Sequence, residues 1–552
     1  MSVVVEQTAR LGFWVTLAGS LFAWAPATFP GYWQALEGYV PVFNAVHAGA
    51  LASIATTPDL WRGTGRGAYL LVQPLILLGF TPVSAVRAVF AVSFILGGLG
   101  VYAWLRQRFG DRAAGLGGLI YMLLPPFLAT VYVRGSLSDA LVLGLLPLAL
   151  AGTASYADSR SPSAAGVVVL CLLWIWRIQA GLACFVTLLL LAYVWLVERS
   201  RMALLVVALT AAAGLASLLP LWSVQGPAPV AFEEHFLYLA QLLYGQWQTA
   251  PSIPGWQDGY PFQLGFAALA LGLAAVWLWR LHGAGWRGTV QHRLLAFCVG
   301  GALLLLVLSL NVSAPLWRWS GAQRLLTYPW QVVLPAAPLL AAVAGSLPAL
   351  NNHLRRAPIW LALAALVILS SYDYLTADYT QVLPSPVPVV SVIGANQEIV
   401  LLDATLTEQP VGSPAADPVA NPADHTLSAT AAVTVTLDIT WQALRPLPFD
   451  YNIFFQAVTG EVSEELVVAQ LDAQPVAERP ATSWRPGEIF QARYTLTLAQ
   501  DDLAVPGGVR YYFGYYDWRD GARLPVDGGI DDKLVFHGPL TSGVQDGADD
   551  GE

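Results

Sequence analysis

Carboxylates, arginines and aromatic rings recur in the polar segments that separate the long apolar runs of this 552-residue chain. The candidates that could do chemistry are Glu37, Asp59, Arg62, Arg66, Arg134, Asp139, Glu234, His235, Asp258 and Trp330. An arginine fork binds phosphate through paired hydrogen bonds, and a carboxylate can take a proton from a hydroxyl group. Aromatic rings offer flat apolar area that a sugar ring can cover. Together these residue types predict a site for an anionic lipid head group and a saccharide.

The elements that must position these residues are apolar. The chain is 56% hydrophobic and 11% charged, whereas soluble domains carry roughly 25% charged residues. Apolar runs of about 18 residues or more predict transmembrane helices, because a helix satisfies its own backbone polar groups in lipid. About eleven spans are predicted, at residues 11–29, 83–105, 113–132, 138–157, 163–179, 181–198, 202–223, 262–281, 294–311, 327–348 and 358–376.

Basic residues predict the orientation of this multi-span domain, residues 1–379. With a cytoplasmic N-terminus, the positive-inside rule is satisfied by nearly every basic cluster. The clusters placed inside are Arg106, Arg108 and Arg112; Arg160; Arg199 and Arg201; Arg280, Arg287 and Arg293; and Arg355 and Arg356. The long linkers 30–82 and 224–261 then lie outside, and 68–80 is expected to form an interfacial or re-entrant helix. A cleaved signal peptide is the alternative for the first span.

The remainder of the chain has a different character. Residues 380–552 carry a net charge of −16 and residues 1–379 a net charge of +7. Short segments of alternating polarity, such as 434–441, are separated by proline and glycine breakers, which predicts an antiparallel β-sandwich. We therefore expect an extracytoplasmic β domain at 380–540 and an acidic, disordered tail at 541–552. Its aromatic residues are expected to pack in the core rather than to bind glycan.

Ionisable residues are nearly absent from the predicted spans. Ion pumps and proton-coupled transporters need charged side chains at the middle of the bilayer. The pattern therefore argues against that class, and the polar residues instead gather on the predicted outer face. We expect membrane lipids as partners, a bacterial cell membrane as the location, and no nucleic acid.

Four stretches of the first domain resemble a known superfamily. They are residues 37–39 with 58–67, 132–139, 244–245 with 258–265, and 328–331. They are similar to GT-C-type membrane glycosyltransferases, most closely to a bacterial group of 6-pyruvoyl-tetrahydropterin synthase-related membrane proteins. The last part resembles the β domain carried by many of those proteins, at 441–444, 450–451, 484–488 and 514–517.

The resemblance implies transfer of a sugar from a polyprenyl-phosphate donor on the outer membrane face. Glu37 then matches the acid that serves as base or contacts a metal, which would be a divalent ion such as Mg or Mn. Asp59 would assist, and Arg62, Arg66 or Arg134 would neutralise the donor phosphate.

The sequence departs from the family pattern at three positions. The family has Asp at the position of Glu37, a closely following His where Pro41 stands, and Glu at the position of Asp139. The change at Pro41 counts against metal binding.

Two other hypotheses remain open. The first is a non-catalytic membrane scaffold, or a protein that binds lipid-linked sugars or glycans, built on the same bundle. The second is a flippase or polymerase of lipid-linked glycans, which the scarcity of polar residues at mid-bilayer disfavours. The sequence leaves the donor sugar open, and also whether the acceptor is a glycan, a lipid or a protein.

Overall fold

The computed structural model describes most of the chain. The described residues are 10–47, 60–222, 230–377, 379–380, 391–410, 432–460, 465–499, 509–527 and 531–537. Asp59 and the predicted tail 541–552 lie outside them. The chain divides into two compact units, with the boundary between Leu383 and Pro384.

The first unit is helical. Within the described residues, seven helical stretches are long and apolar enough to cross a membrane: Leu11–Thr28, Pro82–Phe109, Asp111–Arg134, Leu137–Ser159, Ala180–Glu198, Val290–Ser309 and Pro329–Leu350. Five apolar helices are shorter: Gly67–Leu77, Pro162–Ile178, Arg201–Ala216, Phe266–Leu281 and Ala357–Ser370. Each of the eleven predicted spans coincides with one of these helices. Seven of these eleven helices are long enough to cross a membrane. That the other four also cross it stays a prediction.

Local sequence explains where these helices begin and how closely they pack. The Thr81 hydroxyl accepts a hydrogen bond from the Ser84 backbone N–H at 3.2 Å and caps the helix Pro82–Phe109, as side-chain oxygens commonly do at helix starts. A Cβ on Gly115 would lie 2.5 Å from the Cα of Gly12. Glycine is therefore required where these two helices cross, as at many membrane helix contacts.

The helix Leu137–Ser159 carries a carboxylate near each end, Asp139 in its first turn and Asp158 in its last. At a rise of about 1.5 Å per residue, the two carboxylates are separated by roughly 28 Å along the helix axis. The hydrocarbon core of a bilayer is about 30 Å thick. One helix thus contributes an acid to each end of the bundle.

The second unit consists of two four-stranded antiparallel sheets. The strands of one sheet, in order, are Ser391–Ile393, Ile399–Pro410, Ala432–Ala443 and Ile489–Ala499. Those of the other are Leu534–His537, Arg510–Tyr516, Asn452–Thr459 and Leu466–Ala473. Both sheets contribute to one apolar core, in which Trp441, Trp484 and Tyr515 are buried. Trp441, Trp484 and Tyr515 therefore pack in the core as expected, whereas Trp518, which the same expectation included, is 60% exposed.

Candidate active site

Arg134 lies at the end of a π-helical turn, Thr130–Arg134, which follows the helix Pro125–Ala129. Gly135 then takes a left-handed conformation with φ of 73°, which glycine adopts without steric cost. The predicted spans 113–132 and 138–157 leave only residues 133–137 between them, and no pattern in the sequence indicates a π turn. Single π turns occur frequently at functional sites, but the helical unit has a second one, Val194–Glu198, so the turn alone does not mark a site.

Glu37 is brought to Arg134 by backbone hydrogen bonds. The Leu36 N–H donates to the Val133 carbonyl at 2.9 Å, and the Glu37 N–H donates to the Arg134 carbonyl at 2.8 Å. The Arg134 Nε then lies 3.3 Å from Glu37 Oε1, with both side chains 16% exposed. The turn that carries Glu37 is therefore docked on the π turn, and the ion pair follows from that docking.

Asp139 is the second carboxylate on Arg134. Its Oδ2 accepts a charge-assisted hydrogen bond from Arg134 Nη1, and the Asp139 side chain is 0% exposed. Its place in the first turn of a helix favours a negative charge. The amide of Gln331 lies 3.5 Å from the same oxygen. Asp139 Oδ1 is buried and accepts no hydrogen bond from the described residues.

Aromatic rings pack against this ion cluster. The Arg134 guanidinium lies 5.4 Å from the ring centroid of Trp330 and 5.9 Å from that of Tyr328, distances at which a cation is attracted to the ring face. Trp330 stacks on Tyr328 at 4.9 Å and on Tyr260 at 5.1 Å. The three stacked rings form an aromatic wall beside the two carboxylates.

A second polar network adjoins the aromatic wall. Ser252 donates to Asp258 Oδ2 at 2.7 Å, and its hydroxyl lies 3.0 Å from His235 Nδ1. The ring of His235 meets Tyr328 edge-on at 5.2 Å. Burial raises the pKa of Asp258 to about 6, against hydrogen bonds from Tyr260 and Ser252 that lower it. Burial also lowers the pKa of His235, while Glu234 opposes that shift.

The segment 60–67 approaches the cluster from another direction. The Thr64 hydroxyl lies 3.1 Å from that of Ser138, which precedes Asp139. The Thr327 hydroxyl donates to the backbone carbonyl of Arg62 at 3.3 Å. Arg66 directly precedes the short helix Gly67–Leu70. The segment that carries Arg62 and Arg66, two of the three predicted phosphate ligands, is therefore next to residues that adjoin Asp139 and Tyr328.

The predicted residues thus fall into groups. One connected cluster contains Glu37, Arg134, Asp139, Trp330, His235 and Asp258. Among the described residues, the side chain of Glu234 makes no hydrogen bond or ion pair with this cluster: its backbone carbonyl accepts from the Gly255 N–H at 3.2 Å, and its charge acts on the neighbouring His235. Four members of the cluster were missing from the predicted set: Ser252, Tyr260, Tyr328 and Gln331. The aromatic residues in the segments 258–265 and 328–331 were the available signal for two of them.

The residues present do not fit a divalent ion between the two acids. Among the described residues, no group of three or more His, Cys, Asp or Glu side chains could hold a metal. The space between Glu37 and Asp139 is occupied by the guanidinium of Arg134. Mg²⁺ requires near-octahedral oxygen ligands at about 2.0–2.1 Å, and a fixed positive charge at that place opposes it.

Comparison with known proteins gives limited similarity. No family model matches the sequence, and no curated protein matches it. Among solved structures, the chain is similar to the oligosaccharyltransferase of Archaeoglobus fulgidus, crystallised with zinc and sulfate, at 15% identity and a TM-score of 0.35. The match covers 66% of this chain and 53% of that one, so it spans about half the length of that enzyme. A likeness of this strength does not assign a function, which has to be argued from the site.

Proposed function

We propose that the chain is a membrane glycosyltransferase, which moves a sugar from a polyprenyl-phosphate donor to an acceptor at the outer face of a bacterial membrane. The observation that carries this proposal is the pair of carboxylates, Glu37 and Asp139, held by Arg134 beside the rings of Tyr328 and Trp330. A positioned carboxylate next to aromatic faces suits proton removal from a hydroxyl near a sugar. Membership of the GT-C class, and within it of the pterin-synthase-related group, is proposed from the resembling sequence segments alone.

In the proposed reaction, the acceptor hydroxyl forms a bond to the anomeric carbon of the donor sugar. The bond from that carbon to the phosphate oxygen breaks, and the polyprenyl phosphate leaves with the electron pair. Glu37 is the better candidate to take the hydroxyl proton, because it is 16% exposed whereas Asp139 is completely buried. Asp59 is proposed to assist, as the resemblance implies.

The donor phosphate is assigned to Arg62 and Arg66 rather than to Arg134. One guanidinium between two carboxylates gives the cluster a net charge of −1 if both acids are ionised, so it does not attract a further anion. The segment that carries Arg62 and Arg66 adjoins Ser138 and Thr327. Arginine suits phosphate because its planar fork donates two hydrogen bonds at once.

The test is transfer by purified full-length protein in detergent, with labelled polyprenyl-phosphate sugars as donors and a panel of glycan, lipid and peptide acceptors. Loss of a general base typically costs about 10²- to 10⁴-fold in rate, so Glu37→Gln should reduce transfer by that factor. Arg108→Lys is the matched control, because Arg108 also holds two carboxylates but at the other end of the helix Leu137–Ser159. It should retain transfer.

Two outcomes would contradict the proposal. Transfer that survives Glu37→Gln unchanged would remove Glu37 from the role of base. Equal losses in Glu37→Gln and Arg108→Lys would indicate that both clusters act only through the stability of the bundle.

The second candidate is a non-catalytic scaffold that binds a lipid-linked sugar. A specific observation favours it: both acids are ion-paired to one arginine, which is also how the Arg108 cluster fastens helices. Binding of a short-chain polyprenyl-phosphate sugar without turnover, weakened by Trp330→Leu but unchanged by Glu37→Gln, would support it over the enzyme.

A further inference from the structure

We propose that the guanidinium of Arg134 takes the place of a divalent cation between Glu37 and Asp139, so that this acid pair works without a metal ion. The inference concerns the site of the proposed function and rests on it for its catalytic meaning. Its physical basis is independent of turnover: the Arg134 side chain contacts both carboxylates, through Nε to Glu37 at 3.3 Å and through Nη1 to Asp139. A cation that bridged these two acids would need the same volume.

The guanidinium is held by two carboxylates and two aromatic rings, so it cannot easily move away to admit an ion. Its backbone ends a π turn whose carbonyl accepts from the Glu37 N–H at 2.8 Å. The rings of Trp330 and Tyr328 lie against it at 5.4 and 5.9 Å. Because arginine stays protonated at all accessible pH values, an arriving divalent ion would meet a permanent like charge.

The oxygen atoms available to a metal ion also argue against a divalent cation at this place. Mg²⁺ usually keeps several waters and takes one or two carboxylates with near-ideal geometry. Asp139 is completely buried, and its Oδ2 is already engaged by Arg134. Its Oδ1 accepts no hydrogen bond from the described residues, but it belongs to the same carboxylate and faces the same positive charge.

Arg134 therefore acts as a positioning residue for Glu37 rather than as a phosphate ligand or a catalytic residue. Lysine could not replace it, since a single ammonium lacks the fork that reaches two carboxylates in fixed directions. Arg134→Lys should lower kcat of the proposed transfer with KM for the donor nearly unchanged, because the donor phosphate is bound elsewhere.

The direct test is Mn²⁺ binding to the full-length protein in detergent, followed by electron paramagnetic resonance. The unaltered protein and its Glu37→Gln variant should take up the same Mn²⁺, because no ion bridges the acids in either. In Arg134→Ser the space between the two acids is open, and a new Mn²⁺ site should appear there. Its affinity should exceed any Mn²⁺ binding of the unaltered protein by about tenfold or more, equivalent to roughly 1.4 kcal/mol. Adding Glu37→Gln to that variant should abolish the new site.

Two results would overturn the inference. The first is a Mn²⁺ site in the unaltered protein that Glu37→Gln or Asp139→Asn removes. The second is a folded Arg134→Ser protein that gains no Mn²⁺ site, since the guanidinium would then not be what excludes the ion. If thermal unfolding shows that Arg134→Ser does not fold, the comparison of the unaltered protein with Glu37→Gln decides alone. Neither measurement requires transfer, so failure of the proposed function is a separate result.

Discussion

Two arginines of the helical unit each hold two carboxylates, yet their surroundings differ. Arg108 lies 2.8 Å from Asp158 and 2.8 Å from Glu198, and these three residues belong to the last turns of three helical stretches. Both clusters include the end of a π turn, Thr130–Arg134 in one and Val194–Glu198 in the other. The Arg134 cluster also joins a docked turn and a helix start, and its guanidinium lies against aromatic rings. The first arrangement fastens helix ends together, whereas the second holds chemical groups beside a flat apolar wall.

This comparison shows that an arginine with two acids does not by itself indicate a functional site. Charges at the boundaries of a membrane bundle are expected, because charged groups avoid the hydrocarbon layer. What sets the Arg134 cluster apart is the company of Tyr328, Trp330 and Tyr260 and the adjoining His235. The Arg108 cluster is completed by the Tyr193 hydroxyl, which donates to Glu198.

Replacing each arginine with alanine should give the largest difference in stability between the two clusters. Arg134→Ala leaves two acids facing each other, one of them fully buried, and should cost about 3–5 kcal/mol of stability. Arg108→Ala should cost less, about 1–3 kcal/mol, because Asp158 is 50% exposed and Glu198, although only 3% exposed, keeps the hydrogen bond from Tyr193. Thermal unfolding of both variants in one detergent measures the difference. A larger loss for Arg108→Ala would contradict the expectation that the hydrogen bond from Tyr193 is enough to stabilise Glu198.

A change of pH should alter the stability of the folded protein through Asp258, by less than the arginine substitutions do. The pKa of Asp258 is raised from its ordinary 3.8 to about 6 by burial, so the folded protein holds this proton more tightly than the unfolded chain. The contribution of protonated Asp258 is present at low pH and is lost as pH rises from about 4 to 6. Relative to Asp258→Asn, the unaltered protein should lose roughly 1–3 kcal/mol over that range.

The measurement is a series of melting temperatures for the two proteins between pH 4 and pH 7, taken as a difference at each pH. A difference that stays constant would contradict the raised pKa of Asp258.

The salt concentration should have the smallest effect on the stability differences between the two clusters. Exposed ion pairs contribute about 0–1 kcal/mol and are screened, since the Debye length is about 10 Å at 0.1 M and 3 Å at 1 M. The penalty of Asp158→Asn, measured by unfolding, should therefore shrink by a few tenths of a kcal/mol between low and high salt. That of Asp139→Asn should stay constant, because Asp139 is completely buried. Equal salt dependence would remove the distinction between the two pairs.

The sequence by itself determined the elements, because their signals are local and periodic. Apolar runs identified every helix that the predicted spans required, and alternation in 434–441 matched a strand with its apolar residues buried. The burial of Trp441 also followed from that alternation. Such signals need only neighbouring residues, since a helix or strand repeats its side-chain directions every few positions.

Only the tertiary structure decided which charges meet. Glu37, Arg134 and Trp330 are far apart in the sequence, and no spacing rule places them together. Arg134 was expected to bind phosphate, but it contacts two acids, and its counterpart Arg108 was identified only as a positive-inside residue. Loop docking and helix packing set these distances, and whether a charge binds a ligand or a neighbour depends on distances of a few ångströms.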